Sequence, residues 1–431
     1  MKLFPVLFFP IVSLSQNYDS YFTGNPVDLN VQPYGGVCLM GGATEDDNAM
    51  IWFLEQANGG DILVLRASGS DGYNNYFYTD LGVTVNSVET IVFNNATASD
   101  ENYIHQKIEQ AEAIWFAGGD QWNYISYWRN TPIDSLINVA IEERNIVIGG
   151  TSAGMAILGD YYFTAENGTV TSSTALTNPY SATVTIDSAR FIDVPYMNNV
   201  ITDTHYDNPD RRGRHFTFLA KMTHDFGEGV VMGIACEEYV AVCIDTLGMA
   251  HVYGGYPTYD EQAYFIRTYC GYLDTPWPPE VCAPSTPLTW NANQMAVLTY
   301  KVNGTSTGNN YFDLNTWQNG SGGEWQFWYA DAGILNTTVT TAPICETSLD
   351  EFPITGSHVK LFPNPTELNF TVESDFVIQE FSITDLSGKK IMQEKTESNE
   401  LLVETACLKP GLYNLHYNID GYWYSLRFAV K

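Results

Sequence analysis

The chain has 431 residues, of which 45% are hydrophobic and 14% aromatic, so it is long enough for more than one domain with a core of its own. Its formal charge is −31, with only 19 Lys and Arg, which excludes nucleic acid as an expected partner because phosphate binding needs a cationic surface. The acidic balance is compatible with a cationic substrate, but net charge bears first on solubility.

The first residues have the pattern of a secretory leader. A single lysine, Lys2, precedes a short apolar run, and the small residues Ser13 and Ser15 predict cleavage before Gln16. We therefore predict a signal peptide over residues 1–15, and a mature chain that is secreted or held at the cell surface. No later stretch is long and apolar enough to span a bilayer.

Apolar segments alternate with helical patterns over roughly the first third of the chain. We predict strands and helices that alternate along it: strands at 36–40, 61–66, 88–93, 113–117 and 145–148, and helices at 46–57, 100–111 and 133–144. Apolar strands separated by helices are typical of a parallel sheet covered on both faces. The sequence therefore predicts a three-layer αβα fold of the α/β class, with a mostly parallel sheet between two layers of helices. We expect functional residues at the carboxyl ends of its strands.

Two glycine-rich turns follow predicted strands. The first, Gly118-Gly119-Asp120-Gln121, offers backbone N–H donors and a polar side chain. The second runs from Gly149 to Gly154 and places Ser152 between a strand and a helix, where small neighbours permit a strained backbone and the helix supplies free N–H groups. Ser152 is therefore the candidate nucleophile, and the alternative is an ordinary glycine-rich turn or an anion site.

Candidate partners for this serine lie downstream. His205 follows Asp203, and the guanidinium groups of Arg211 and Arg214 come shortly after, suited to holding a carboxylate. Each of these residues alone also fits a structural role. The segment 230–242 resembles a buried strand interrupted by two acids, Glu237 and Glu238, of which one should face the site and the other should not.

Four of these patterns, in this order, resemble the cyanophycinase and aspartyl-dipeptidase family of serine peptidases over roughly residues 34–275. They are Gly-Gly-Asp-Gln at 118–121, Gly-Thr-Ser-Ala-Gly at 150–154, Asp-x-His at 203–205 and Arg-x-x-Arg at 211–214. The resemblance implies a fold like that of class I glutamine amidotransferases. It also implies Ser152 as nucleophile, His205 as general base and Glu238 as the acid that orients the histidine.

The glycine turns indicate the oxyanion donors, and the resemblance implies the residues of the substrate site and the substrate. We expect the Gly119 and Ala153 N–H groups to bind the oxyanion, and a further set of residues to line the substrate site: Gln121, Asp203, Arg211 and Arg214. The implied substrate is a peptide or a cyanophycin-like polymer with β-aspartyl-arginine units. Two departures, Pro209 for a further arginine and Tyr206 for the commoner phenylalanine, bear on that specificity.

Other functions fit the same residues. A catalytically silent surface-binding protein on this fold is one alternative, and an amidase or α-aspartyl dipeptidase that uses the same serine is another. We expect no cofactor and no metal, since no cysteine spacing resembles a zinc site. The sequence leaves open the pairing of its seven cysteines and whether the protein forms a homodimer.

The residue composition of the chain changes at two points after the α/β region. We predict that the Trp- and Gly-rich segment 285–345 is β structure that closes a peptidase domain over residues 16–345, and that 346–355 is a linker. Residues 356–431 alternate like short strands and predict a small C-terminal β-sandwich.

This last domain also resembles the C-terminal sorting domains of cargo for the type IX secretion system of Bacteroidetes. The similarity lies in an Asn-Pro entry at 364–365, a Leu-x-Gly-like turn at 386–388, and Pro-Gly-Leu-Tyr at 410–413 before a terminal basic residue. It implies that the secretion machinery is a partner, and that the domain is removed or exchanged for a surface anchor.

Overall fold

A computed structural model describes residues 16–188, 191–269, 277–341, 359–366, 368–385, 389–406, 408–419 and 422–431. The chain divides into two compact units, residues 1–345 and 346–431, and each is described by itself. The predicted signal peptide at 1–15 and the predicted linker at 346–355 lie outside the described residues.

The first sheet of the N-terminal unit has a parallel centre with antiparallel additions at both sides. Its strands, in spatial order, are β1 (Tyr18–Gly24), β4 (Ser87–Phe93), β3 (Asp61–Arg66), β5 (Ala113–Phe116), β6 (Val147–Thr151), β2 (Gly36–Met40), β11 (Ala241–Ile244), β12 (Met249–Tyr256), β15 (Asn310–Asp313) and β16 (Gly320–Ser321). The run from β4 to β2 is parallel.

The second sheet is mainly antiparallel. Its strands, in spatial order, are β18 (Ile334–Thr340), β17 (Gly323–Asp331), β14 (Val297–Asn303), β13 (Gln262–Thr268), β10 (Met232–Cys236) and β9 (Val200–Asp203). Only the pair β9–β10 in this sheet is parallel among the described strands. The short strands β7 (Tyr162–Phe163) and β8 (Ile186–Asp187) pair with each other.

The helices lie between the strands along the chain: α1 (Asp47–Gln56), α2 (Gly72–Asn75), α3 (Asn102–Gln110), α4 (Gln121–Trp128), α5 (Pro132–Arg144), α6 (Ala153–Ala156), α7 (Ser172–Thr177) and α8 (Arg212–Asp225). Side-chain caps fix several of their starts. The Asp46 carboxylate accepts from the Ala49 N–H at α1, and the Thr131 hydroxyl accepts from the Ile133 N–H at α5. Asn145 ends α5 in the left-handed conformation, with φ 54°.

The alternation of side chains along β2 shows how the layers form. Val37 and Leu39 pack with the cluster that includes the α3 and α5 side chains, whereas Cys38 and Met40 pack with the cluster that includes α1. The first sheet therefore has helices on both faces, which confirms the predicted αβα layers. The second sheet also packs on the α3–α5 side, through residues such as Phe265, and its other face packs on α8.

The predicted strands and helices of the parallel centre agree with the structure to within two residues at each end, except that β6 ends at Thr151, three residues beyond the predicted strand end at 148. One prediction was wrong. The segment 230–242 is not a single strand, because β10 ends at Cys236 in the second sheet and β11 begins at Ala241 in the first. The chain crosses between the sheets at 237–240, where Tyr239 has φ 66°.

The segment 285–341 forms β structure, as predicted, and contributes strands to both sheets of the N-terminal unit. Its boundary as part of a peptidase domain at 16–345 remains a prediction.

The C-terminal unit is a separate β domain, as predicted. Its described strands are β19 (Val359–Phe362), β20 (Asn369–Asp385), β21 (Lys390–Glu404), β22 (Gly411–Ile419) and β23 (Tyr422–Val430). They form one hydrogen-bonded sheet, in which the long strand β20 pairs with β19, β21 and β22. Register shifts along β20 and β21 mark bulges that bend these strands around a core containing Phe370, Ile383 and Leu415.

Candidate active site

Ser152 occupies a strained turn between β6 and α6, at φ 53° and ψ −115°. Close backbone packing explains the small residues around it. A Cβ on Gly150 would lie 2.6 Å from the Gly154 backbone, and one on Gly154 would lie 2.1 Å from the Phe116 carbonyl oxygen. Gly150 and Gly154, at the two ends of the turn, therefore pack closely against each other and against β5. The Ser152 N–H donates to the Met40 carbonyl at 3.1 Å.

His205 follows β9 and is held by a turn that leaves β2. Its backbone N–H donates to the Gly41 carbonyl at 2.8 Å, and its own φ is 45°. Gly42 has φ 123°, and a Cβ there would lie 2.4 Å from the imidazole ring. The Gly41-Gly42 turn is therefore part of the site. We did not identify it from the sequence, although its position directly after a predicted strand was the available signal.

Ser152, His205 and Glu238 are hydrogen-bonded in series. The Ser152 Oγ lies 2.8 Å from His205 Nε2, and His205 Nδ1 lies 2.6 Å from Glu238 Oε1. The imidazole side chain is 23% exposed and the carboxylate 16%, so both groups reach solvent while remaining partly enclosed. The structure thus brings together three residues that the sequence spaces over 86 positions, from 152 to 238.

Neighbouring polar groups hold Glu238. Its Oε2 accepts from the Asn208 side-chain amide at 3.4 Å, and its backbone N–H donates to the Asp207 carboxylate at 3.0 Å. The hydrogen bond with His205, followed by that from Asn208, lowers the pKa of Glu238 below its ordinary value. The carboxylate is thereby favoured over the acid beside the imidazole.

Glu237 points elsewhere. Its carboxylate accepts from the Gln262 N–H at 2.7 Å and from the Tyr264 hydroxyl at 2.8 Å, both on β13. The prediction that the two acids diverge therefore agrees with the geometry. Its stated reason was wrong, since the two residues lie in the crossover between sheets and not within one strand.

The glycine turn at 118–119 lies beside the serine. A Cβ on Gly118 would be 3.6 Å from the Ser152 Cβ. The Tyr124 hydroxyl contacts the Ala117 carbonyl at 2.9 Å and the Gly118 carbonyl at 3.1 Å, which fixes the turn that leads to Gly119. Ala153 is the first residue of α6, where a backbone N–H has no acceptor within the helix.

Of the four residues expected to line the substrate site, Gln121 and Arg211 bind backbone carbonyls, and the other two form an ion pair with each other. Gln121 begins α4 and its amide donates to the Phe163 carbonyl at 3.0 Å. Arg211 lies at the start of α8, half-buried, and donates to the Thr204 carbonyl at 3.1 Å. Within the described part of the chain its guanidinium forms no ion pair. Burial and then the charge of Arg214 lower its pKa.

Asp203 and Arg214 instead bind each other. Their side chains are each 3% exposed and form a two-point ion pair, with Arg214 Nε 2.9 Å from Asp203 Oδ2. Arg214 also donates to the Thr169 hydroxyl at 3.1 Å and lies over the Phe163 ring, 5.1 Å from its centroid. Burial raises the pKa of Asp203, but the opposing effect of Arg214 prevails and the net pKa is lowered.

A cleft of about 700 Å³ is lined in part by Tyr239, the residue that follows Glu238 in the chain. It is acidic and carries two tyrosines, and its lining residues are Thr44, Glu45, Asp46, Asp47, Asn48, Tyr239, Gly255, Tyr259 and Glu261. No triad residue lines this cleft, and its link to the site is Tyr239, whose N–H donates to the Gly42 carbonyl at 3.2 Å.

The described residues contain no group of three or more His, Cys, Asp or Glu that could hold a metal ion. None of their helices is both long and apolar enough to cross a membrane.

The fold and this site define an α/β protein with a serine, a histidine and a glutamate hydrogen-bonded in series. Residues 63–182 match Peptidase family S51, and residues 360–431 match the secretion system C-terminal sorting domain. The chain therefore contains a Peptidase family S51 domain followed by a sorting domain. The S51 match includes Ser152, while His205 and Glu238 lie beyond it.

Relatives of known name are distant. A cyanophycinase of Geminocystis herdmanii (strain PCC 6308) is 26% identical over 131 residues, which are 30% of this chain and 44% of that protein. A cyanophycinase of Synechococcus elongatus is 21% identical over 218 residues, 48% of this chain and 64% of that protein. The chain thus spans less than two thirds of the length of these relatives.

Among solved structures, a peptidase from an acI-B1 Actinobacterium is similar with a TM-score of 0.39 and 13% identity, over 54% of this chain and 91% of that one.

Proposed function

We propose that this chain is an exported serine peptidase that hydrolyses aspartyl peptide bonds through Ser152, His205 and Glu238. The observation that carries the proposal is the pair of hydrogen bonds at 2.8 and 2.6 Å that joins these side chains on a strained turn. The S51 match supports the peptidase class, and the sorting domain supports export.

In the first step the Ser152 Oγ attacks the scissile carbonyl carbon while His205 Nε2 takes the hydroxyl proton. The carbonyl π electrons move to the oxygen, and the N–H groups of Ala153 and Gly119 stabilise that oxyanion. The intermediate then collapses, His205 protonates the leaving amine, and the acyl group remains on Ser152. Water, deprotonated by His205, releases the acid product and restores the serine.

Glu238 keeps the imidazole of His205 in the tautomer that these reaction steps require. With Nδ1–H donated to the carboxylate, Nε2 is free to accept the serine proton, and the negative charge stabilises the imidazolium that forms. Asn208 and Asp207 hold the glutamate from its other side.

For the substrate, we propose an aspartyl peptide that carries a cationic side chain. Arg211, whose guanidinium lacks a carboxylate partner within the described residues, is the candidate for binding a substrate carboxylate. The acidic cleft, with Glu261 and Asp47 on its wall, suits a positive side chain next to the scissile bond. Asp203 and Arg214 neutralise each other, so we assign neither of them a direct charge contact with the substrate.

The decisive experiment compares the wild-type chain with Ser152→Ala on three substrates: a β-aspartyl-arginine polymer, an α-aspartyl dipeptide and a neutral peptide. We expect the wild type to cleave aspartyl bonds and to favour the arginine-containing polymer, with a preference that weakens as salt screens the cleft. Ser152→Ala should lose several orders of magnitude in kcat, leaving roughly 10³-fold over water from binding and the oxyanion hole.

Ser152→Ala should fold like the wild type, which circular dichroism and thermal unfolding check. Turnover near the wild-type rate in this variant would exclude Ser152 as the nucleophile. A wild-type chain that binds the polymer but cleaves none of the substrates would instead support the silent surface-binding protein.

A further inference from the structure

Two buried thiols face each other across neighbouring strands of the first sheet. Cys38 on β2 and Cys243 on β11 are paired residues in the antiparallel ladder, with their sulfur atoms 3.7 Å apart. Both side chains are fully buried. Cys236, on β10, is also buried, and its sulfur contacts the Leu39 carbonyl at 3.6 Å.

The hydrogen-bonding pattern of β2 shows which kind of pair this is. The Met40 carbonyl points toward β6, since it accepts the Ser152 N–H, and the Gly41 N–H points toward β11, since it donates to the Val240 carbonyl. Backbone groups alternate direction along a strand, so those of Cys38 point toward β6 like those of Met40. Cys38 and Cys243 are therefore a non-hydrogen-bonded pair.

At such pairs the Cα atoms are about 4.5 Å apart and the side chains lie closest, which is within the range of Cα separations that disulfides span, about 4.4–6.8 Å. The chain also carries a secretion sorting domain, and disulfides form and persist in the oxidising compartments that exported proteins enter. We propose that Cys38 and Cys243 form a cross-strand disulfide in the exported protein.

In this step each thiol loses a proton, and the two sulfur atoms together give two electrons to an oxidising disulfide, either of an export-compartment oxidoreductase or of oxidised glutathione. The S–S bond forms as the oxidant is reduced to two thiols. Because both sulfurs are buried in the folded chain, the exchange takes place during folding, before β2 and β11 are enclosed.

The disulfide would link β2 to β11, the two strands next to the turn and the crossover that contribute to the site. Three residues beyond Cys38, the Gly41 carbonyl accepts the His205 N–H, and the next residue, Gly42, accepts the N–H of Tyr239, directly after Glu238. A covalent link between β2 and β11 therefore limits the movement of the turn and the crossover that hold His205 and Glu238 together.

The test uses the full chain, reduced and unfolded, then refolded in a glutathione redox buffer, trapped with an alkylating reagent and digested without reduction. Trypsin leaves Cys236 and Cys243 in one peptide, so a second cleavage after Glu237 or Glu238 is needed to separate them. We expect a linked peptide pair that contains Cys38 and Cys243 and separates on reduction. Complete alkylation of both residues, or a link through Cys236, would overturn the proposal.

Variants give a second readout. We expect reductant to lower the thermal unfolding temperature of the wild type by several degrees, and of the control Cys236→Ser by the same amount, because that variant keeps the bond. Cys38→Ser and Cys243→Ser should lose this part of the reductant-dependent shift. An equal shift in all the variants would overturn the proposal, and if a serine variant fails to fold, the peptide map of the wild type still decides.

Discussion

The two glutamates at 237 and 238 differ in what they touch, and this separates a catalytic from a structural acid. Glu238→Gln keeps the size of the side chain but removes the charge beside His205 and permits the wrong tautomer, so we expect kcat to fall by about 10²–10⁴-fold. Steady-state kinetics on an aspartyl-arginine substrate measure this. Glu237→Gln is the matched control, and it should stay within a few-fold of the wild type because its contacts are on β13. The reverse ranking would contradict the assignment.

Arg211 and Arg214 are three residues apart, but their surroundings predict different losses. Arg211→Ala should lower kcat/KM by at least tens-fold with little change in stability, since its guanidinium forms no ion pair among the described residues. Arg214→Leu leaves Asp203 buried without its cation, so we expect the free energy of unfolding to fall by about 3–5 kcal/mol.

Denaturant midpoints and initial rates, measured on the same preparations, distinguish the two arginines. The double variant Asp203→Leu with Arg214→Leu should recover part of the stability that Arg214→Leu loses, because no buried charge then remains unpaired. If Arg214→Leu is as stable as the wild type and only its activity falls, then Arg214 contacts the substrate, as the family resemblance implies.

At the scale of single elements, α8 carries a histidine with a built-in sensitivity to pH. His215 is 0% exposed, with Nδ1 3.1 Å from the Tyr206 hydroxyl and Nε2 3.2 Å from the Ile201 carbonyl. Burial lowers its pKa to about 4, while Asp203 raises it and Arg214 lowers it. The unfolded chain, with a pKa of about 6.5, therefore binds a proton that the folded chain does not bind until pH 4.

The folded state consequently loses stability as the pH falls from 6.5 toward 4, by about 3 kcal/mol from this residue. His215→Gln cannot titrate, so its unfolding free energy should fall less than that of the wild type over the same range. Urea unfolding at pH 8, where both states are deprotonated, gives the packing cost of the substitution separately. Identical pH profiles below 6.5 would contradict this role. Glu112, whose pKa burial raises to about 7, acts in the opposite direction but equally in both proteins.

The secondary-structure elements that could be predicted are those determined by the residues of their own segment. The strands β2, β3 and β5 are mainly apolar runs, and this pattern is visible in the local sequence alone. The crossover at Tyr239 could not be predicted, because the apolar pattern on its two sides is uniform and only the pairing with β13 and β2 shows that the strands belong to different sheets.

The same distinction holds within the site. Ser152 and His205 are marked by their own neighbours in sequence, so pattern and resemblance identify them. The mutual burial of Asp203 and Arg214 is invisible in the sequence, since both are polar and their pairing depends on how α8 packs on β9. Likewise, the contact of Gly42 with the imidazole joins segments 163 positions apart, from 42 to 205.

At the scale of the whole molecule, two segments are expected to be lost on the way to the mature protein. The leader pattern at 1–15 and the sorting domain at 360–431 predict secreted material that begins at Gln16 and lacks the C-terminal unit. Intact-mass spectrometry of protein recovered from the medium of a type IX-secreting host measures both ends. Soluble extracellular protein that still ends at Lys431 would contradict processing of the sorting domain.

The position of the triad relative to the two sheets has a consequence for the timing of activity. Ser152 follows a strand of the first sheet, His205 follows a strand of the second, and Glu238 lies where the chain passes between them. A chain in which either sheet is formed alone has a serine without its base, and contacts so distant in sequence are among the last to be made in folding. Under the proposed function, hydrolysis begins only when the two sheets have docked, so a chain that has not yet folded cannot hydrolyse the proteins around it through Ser152.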